Sequence, residues 1–272
     1  MKFFQIDAFS EQVFAGNPAG VCVLEAWLPD AVLRAIAAEN NLSETAFFIP
    51  SGDDAAPWPL RWFTPLTEID LCGHATLAAA WVIFSVLEPG RRQVEFSSRS
   101  GPLAVRRDET PNRLVLDFPA RPARACAAPD GLLEALGLSG RPVSRARDFL
   151  VVLDDEAELT ALTPDMTALA GVLAGSPGGV IVTAPADAGR DYAFAARFFA
   201  PHMGIAEDPV TGSAYCTLAP YWADRLGASA LVARQLSARG GMVYCDYSGD
   251  DRVAIGGACA LYLSGTLTIG EP

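Results

Sequence analysis

Histidine is scarce: His74 and His202 are the only two in 272 residues, which argues against a metal cage built from several imidazoles of one chain. The six cysteines, Cys22, Cys72, Cys126, Cys216, Cys245 and Cys259, lie far apart and contain no C-x-x-C pair. Neither a disulfide framework nor a zinc knuckle is supported, and most are expected to be buried thiols. The longest apolar run, residues 77–87, is broken by Ser85 and falls well short of the roughly 20 residues of a membrane span. No membrane helix is expected. The first residues, MKFFQIDAFS, lack an extended apolar core and a small-residue cleavage site, so a cytoplasmic location is expected. Basic residues are outnumbered 20 to 32, for a net charge of −12, which argues against nucleic acid or an anionic membrane as partner. The pairs Arg91–Arg92 and Arg106–Arg107 fit solvated turns and strand edges. G-x-G-x-x-G and G-x-x-x-x-G-K are both absent, so neither a nucleotide cofactor nor a metal is expected.

What the chain does contain is a long repeat. Residues 61–81, RWFTPLTEIDLCGHATLAAAW, and residues 197–222, RFFAPHMGIAEDPVTGSAYCTLAPYW, pair Arg61 with Arg197, Phe63 with Phe199, Pro65 with Pro201 and Ile69 with Ile205. A three-residue insertion then aligns Gly73 with Gly212, His74 with Ser213 and Ala75 with Ala214. Further on, Ser97, Arg99 and Gly101 match Ser237, Arg239 and Gly241. A period near half the chain implies two like lobes rather than a solenoid, whose repeats run about 20–50 residues. The expected lobes are residues 1–122 and 123–272, joined through the Pro/Ala/Arg-rich stretch 119–129, with the last strand free to pack on the first lobe.

Taken in order, FFQIDAF alternates as a half-buried strand, GNPAG turns, and VCVLEAW is a second apolar run. Residues 29–40 carry Val32, Leu33, Ile36 and Ala37 at helical spacing before an Asn stop. NLSETAFF then enters a strand, SGDDAAPWP turns, and RWFTP is a strand before a loop at 64–72. From His74, ATLAAAWVIFSVL has the composition of a buried helix. QVEFSSRSGPLAVRR and NRLVLDFPARP complete the first lobe as strands. In the second lobe helices are expected at 130–136, 165–173 and 213–226, with strands at DFLVVLDDE, GVIVTAP, RFFAP, LSARGGMVYCDY, DRVAIGGACALYL and GTLTI. Strand-rich lobes with a central buried helix point to an α+β fold with mixed or antiparallel sheets.

The glycine-centred helix starts CGHAT and VTGSA each offer free backbone N–H groups at the positive end of a helix, suited to a carboxylate or a developing oxyanion. Facing each other across two lobes they would make a cleft for a small acid; alone, each glycine is equally a turn before a packed helix. Glu44 sits where a loop enters a strand, and its residue type admits a solvated cap or a general base beside apolar Phe47 and Phe48. His74 and Asp208 stand at helix starts, where capping competes with proton relay and binding. Bulky Phe47, Trp62 and Tyr215 are candidates for setting specificity.

GNPAGV, NLSETAFF, the FTP-to-LCGHAT segment, FAPHMGIAEDPVTGSA and GGACALYLSGTL together resemble the PhzF-like family of phenazine-biosynthesis isomerases over essentially the whole chain. That family is similar to diaminopimelate epimerase. The resemblance implies two pseudo-symmetric lobes, each a sheet wrapped around a central helix, with the active site between them, and a homodimer. It places the general acid/base on Glu44, assisted by His74, Asp208 and Ser213, in a cofactor-independent proton shift within a small carboxylated cyclic or unsaturated substrate. Asn17, Gly73, Thr211, Gly212 and Ser213 fall in the motifs expected to bind that substrate. An amino- or imino-acid epimerase, or a ligand-binding protein without turnover, remains the alternative. Related epimerases use two cysteines, one at each helix start; Cys72 precedes the first here, but the second loop carries Asp208 and Val210, leaving only a mixed Cys72/Asp208 pair open.

Overall fold

The structure, a computed structural model, describes residues 1–53 and 56–270. It divides into two compact units: residues 1–117 together with those from Ile255 onward, and residues 118–254. Both are α+β, each a mixed sheet carrying one central buried helix.

The first unit opens with β1 (Lys2–Ala8) and β2 (Asn17–Val23), an antiparallel pair. Helix α1 (Asp30–Asn40) then crosses over to β3 (Glu44–Phe48), which runs parallel to β2. As its spacing foretells, α1 buries Leu33, Ile36 and Ala37, and Asn41 ends it in the left-handed conformation at φ 49°. The turn expected at 51–59 includes Asp54 and Ala55, which lie outside the described residues. β4 (Trp58–Phe63) returns antiparallel to β3 and is extended by the two-residue β5 (Glu68–Ile69), where only a loop was expected.

Helix α2 (Gly73–Val82) follows, and β6 (Gln93–Ser98) runs parallel to β4. Nine of the ten residues of α2 are buried, so its apolar residues form no stripe. This is the pattern of a helix enclosed on all sides, and Ala75, Ala78, Ala79 and Ala80 let strands approach its backbone closely. The helix was expected to reach residue 87 unchanged; instead Ile83–Leu87 widens into a π turn. There Arg107 donates from Nη2 to the Phe84 carbonyl at 2.5 Å, drawing it away from the regular ladder. β7 (Gly101–Arg107) and β8 (Arg113–Pro119) continue the antiparallel sheet.

The second unit adds β9 (Arg124–Cys126), helix α3 (Leu132–Ala135), β10 (Val143–Arg145) and β11 (Phe149–Val152). Helices α4 (Glu156–Ala161) and α5 (Met166–Val172) lead to β12 (Val180–Pro185), parallel to β11. DFLVVLDDE is thus strand only to Val152. Its acidic end turns into α4, because Asp155 accepts the Glu158 N–H as a cap. Asp165 caps α5 in the same way, accepting from Thr167 and Ala168. β13 (Phe194–Phe199) is antiparallel to β12, helix α6 (Tyr215–Leu226) follows, and β14 (Ala230–Gln235) runs parallel to β13 before β15 (Gly241–Asp246) closes the hairpin. The last strand, β16 (Arg252–Thr266), pairs antiparallel with β1 over residues 259–266, with a register shift at Gln5/Ile6.

The sequence repeat is therefore a repeat of topology. Parallel strands joined by a helix, an antiparallel return, then a second parallel crossover through the buried helix: α2 lies between β4 and β6 as α6 lies between β13 and β14. The repeated arginines explain part of the sequence match. Arg61 grips Glu68 through two bonds of 2.7 Å and lies 5.0 Å from the Phe63 ring. Arg197 grips Glu207 at 2.7 and 2.9 Å and lies 4.9 Å from Phe199. Each is a bidentate clamp between a strand and the loop after it.

Proline inside α6 needs its own account, since Pro220 cannot donate to the Cys216 carbonyl. The Arg121 N–H takes that carbonyl at 2.8 Å. Gly227, at φ 65°, ends the helix where expected, and a single 3-10 turn, Gly212–Ala214, forms its start.

Candidate active site

In the first unit Glu44, Asn17, Cys72 and His74 come together. Parallel pairing sets Ala19 opposite Glu44, so Asn17, two residues earlier on β2, lies near the same end of the sheet. Alternation along β3 puts Glu44 and Phe48 on one face and Phe47 on the other. Phe47 consequently packs with Leu33, Ile36 and Ala37 of α1 rather than beside the carboxylate. Cys72 and His74 are the N-cap and second residue of α2. All four are enclosed: Glu44 and Cys72 are 6% exposed, His74 4% and Asn17 0%.

His74 is the hub of this cluster. Its Nε2 stands 3.1 Å from Glu44 Oε2, its Nδ1 3.2 Å from Asn17 Nδ2 and 3.5 Å from Cys72 Sγ. The Glu44–His74 approach has the distance of a hydrogen bond without its angles, and neither atom completes one elsewhere. The two buried atoms have only each other as partners. When Asn17 donates to Nδ1, the ring proton sits on Nε2 beside the carboxylate; when the ring is charged, Nε2 still carries a proton.

Burial opposes a charged imidazolium, yet the neighbouring Cys72 and Glu44 outweigh it and hold His74 well above its ordinary 6.5. Glu44 is the partner that matters near neutrality. Burial, reinforced by the Glu44 charge, pushes the Cys72 thiol up to about 11, which leaves it uncharged there. With two histidines in the chain, imidazole NMR resolves each titration. His74 should titrate above 6.5 in the wild type, and its midpoint should fall in Glu44→Gln, where burial is left with less opposition. An unchanged midpoint would remove the carboxylate as the cause.

In the second unit Asp208, Thr211 and Gln235 are joined by hydrogen bonds. Thr211 Oγ1 donates to Asp208 Oδ2 at 2.5 Å, so this carboxylate grips a side chain rather than capping the helix. Gln235 Oε1 accepts from the Thr211 N–H at 2.9 Å, and its Nε2 donates to the Asp208 carbonyl at 2.8 Å. Gly212 is buried and Ser213 half-buried in the turn that follows. Sequence reasoning missed Gln235, because its partners lie 24 and 27 residues away and glutamine marks no motif. It also missed Asp7, whose buried carboxylate accepts the Phe14 N–H at 2.8 Å and steadies the loop leading to Asn17. Gln235→Leu removes the side-chain bonds to the Thr211 N–H and the Asp208 carbonyl and should destabilise the protein by about 2–4 kcal/mol in urea unfolding. A cost within a few tenths would show that the loop re-pairs on its own.

His202 Nε2 lies 3.2 Å from the Ser176 carbonyl, and Phe47, Trp62 and Tyr215 are fully enclosed core side chains. A surface groove at the end of α6, lined in part by Pro220, Tyr221, Arg225 and Tyr247, contains none of these site residues. No helix among the described residues is long and apolar enough to cross a membrane.

Residues 6–265 match the family model described as phenazine biosynthesis-like protein. A relative from Pseudomonas aeruginosa, named an uncharacterized isomerase, is 51% identical over 267 residues, covering 98% of each chain. A crystal structure of a phenazine biosynthesis protein of the PhzF family from Enterococcus faecalis superposes with a TM-score of 0.90 at 44% identity, over 98% of this chain and 99% of that one. A probable proline racemase from Agrobacterium radiobacter, at 10% identity and a TM-score of 0.66 over 99% of this chain and 93% of that one, shares the fold.

Proposed function

Because this chain belongs to the phenazine biosynthesis-like protein family, and is an isomerase, we propose that it moves a proton between carbons of a small carboxylated, cyclic or unsaturated metabolite without a cofactor. The observation that carries this reading is the buried Glu44–His74 pair, whose facing oxygen and nitrogen stand 3.1 Å apart and complete no hydrogen bond elsewhere. Glu44 takes a proton from a carbon made acidic by conjugation with a carboxyl or carbonyl group. The electron pair moves into the conjugated system, and Glu44, whose proton exchanges with solvent before it is delivered, returns a proton to another carbon of it, so that substrate and product are isomers and Glu44 ends as it began.

His74 holds the carboxylate in place and balances its charge, while Asn17 fixes the ring. Asp208, Thr211, Gly212 and Ser213, with Gly73 at the start of α2, are assigned to holding the substrate on the strength of the family motifs. Cys72 is a poor second base, since burial keeps its thiol protonated near neutral pH. That weighs against a thiol-based epimerase.

The test is solvent-deuterium uptake into a panel of small cyclic and amino carboxylic acids, followed by proton NMR. Glu44-dependent uptake at carbon supports the isomerase. Uptake that survives in Glu44→Gln but is lost in Cys72→Ala transfers the role to the thiol. Binding without any uptake leaves a ligand-binding protein.

A further inference from the structure

The same cluster has a donor set that proton transfer alone does not require. Glu44, Cys72 and His74 each present one oxygen, sulfur or nitrogen atom, and the three atoms lie within 4.8 Å of one another. A tetrahedral zinc ion, with bonds of about 2.0–2.3 Å, needs its ligands about 3.3–3.8 Å apart. The cluster therefore has to draw in by up to about 1 Å to close around an ion. We propose that Glu44, Cys72 and His74 form a three-donor site for a thiophilic divalent cation, with Zn²⁺ the best fit, and that its occupancy blocks proton transfer.

Two further observations favour a cation. Glu44 Oε2 and His74 Nε2 are buried and face only each other, at 3.1 Å, so two of the three donors have no partner outside the cluster. Charge also balances: a dipositive ion with the Glu44 carboxylate, the Cys72 thiolate and a neutral imidazole sums to zero, which a dry interior tolerates. Mixed nitrogen, sulfur and oxygen donors select zinc over magnesium or calcium, which prefer oxygen alone. Asn17, whose Nδ2 lies 3.2 Å from Nδ1, becomes an outer partner for the bound ring when its amide turns to present Oδ1 to the Nδ1–H. Three protein donors leave a fourth position for water or a substrate carboxylate.

On binding, the metal–sulfur bond replaces the Cys72 S–H bond and the metal–nitrogen bond replaces the His74 Nε2–H bond; the thiol proton passes to solvent, as does the second proton of a charged ring, and the bound imidazole keeps one proton, on Nδ1, so that nothing is oxidised or reduced. The bound ion occupies the Glu44 lone pair that would take the substrate proton. Only this blocking half rests on the isomerase reading; the binding half stands without it.

Cobalt(II) reports the site directly through thiolate-to-metal absorption. The protein should first carry Cys126→Ser, because Cys126 is an exposed thiol. Adding Co²⁺ should raise the thiolate band, and Zn²⁺ should abolish it at one equivalent. In Cys72→Ser the band should be absent, and in Glu44→Gln and His74→Asn zinc affinity should fall by at least about tenfold, with circular dichroism confirming each fold. Zinc should stop deuterium uptake over the same concentrations that displace cobalt, and EDTA should restore it. No band, or a band that persists in Cys72→Ser, overturns the site. Undiminished uptake at full zinc occupancy overturns the block. Should no compound show uptake, the isomerase reading fails while the cobalt spectrum still decides the metal site.

Discussion

Glu44→Gln should lower substrate-carbon deuterium uptake by about 10²–10⁴-fold, the range expected when a positioned general base is removed. Glutamine keeps the length and nearly the shape of the side chain, and its amide can turn to present oxygen to His74 Nε2, so the packing of β3 is preserved. What it loses is the charge. A neutral amide cannot accept a proton from carbon, and no neighbouring group replaces it: burial holds the Cys72 thiol protonated, and His74 keeps a proton on the nitrogen facing the site. Thermal unfolding at neutral pH should change little beside that loss of rate, because His74, its midpoint lowered in the variant, turns neutral and bonds the amide oxygen instead of remaining an unpaired buried charge. Uptake within about tenfold of wild type would remove Glu44 from the reaction. Unfolding of the variant would instead show the carboxylate to be structural, and Glu44→Asp would then separate the two, since it retains the charge but withdraws it from His74.

Much of the architecture is legible in the chain because both halves solve the same folding problem. Arg61 and Arg197 recur because each clamps an acidic residue in the loop after its strand, and aligned residues that bind their own neighbours survive as a readable pattern. The glycine starts Gly73 and Gly212 are visible for the same reason. The Glu44–His74 pair is another matter. Glu44 and His74 are 30 residues apart on different elements, and no local rule of spacing joins them; the family motifs bring them to notice, and the parallel register of β2 and β3 accounts for the place of Glu44. Phe47 was read as a neighbour of the carboxylate through proximity in sequence, but a strand buried on both faces sends adjacent residues to opposite sides. Gln235 was invisible because its value lies wholly in distant backbone partners.

The turn before Asn17 gives the largest expected loss of stability from a single methyl group. Gly16 sits at φ 68°, and a Cβ there would fall 2.2 Å from the Ala8 carbonyl oxygen and 2.9 Å from Ser10 Cβ. Left-handed backbone costs a residue with a side chain about 1–2 kcal/mol, and the clash adds about 1–3 kcal/mol as the loop and strand separate. Gly16→Ala should therefore cost about 2–5 kcal/mol, a large share of the roughly 5–15 kcal/mol that holds a domain folded. The damage has a direction. Ala8 pairs with Asn17 at the end of the β1–β2 ladder, so pushing the Ala8 carbonyl away moves the residue whose amide meets His74. Activity should fall further than the loss of folded protein explains. Gly101→Ala supplies the control, because Gly101 at φ 91° has open space around its missing Cβ and pays only the backbone term. Denaturant unfolding of the two variants isolates the clash by difference. Equal costs would mean that the loop yields freely, and that the glycine is needed for its dihedral angle alone.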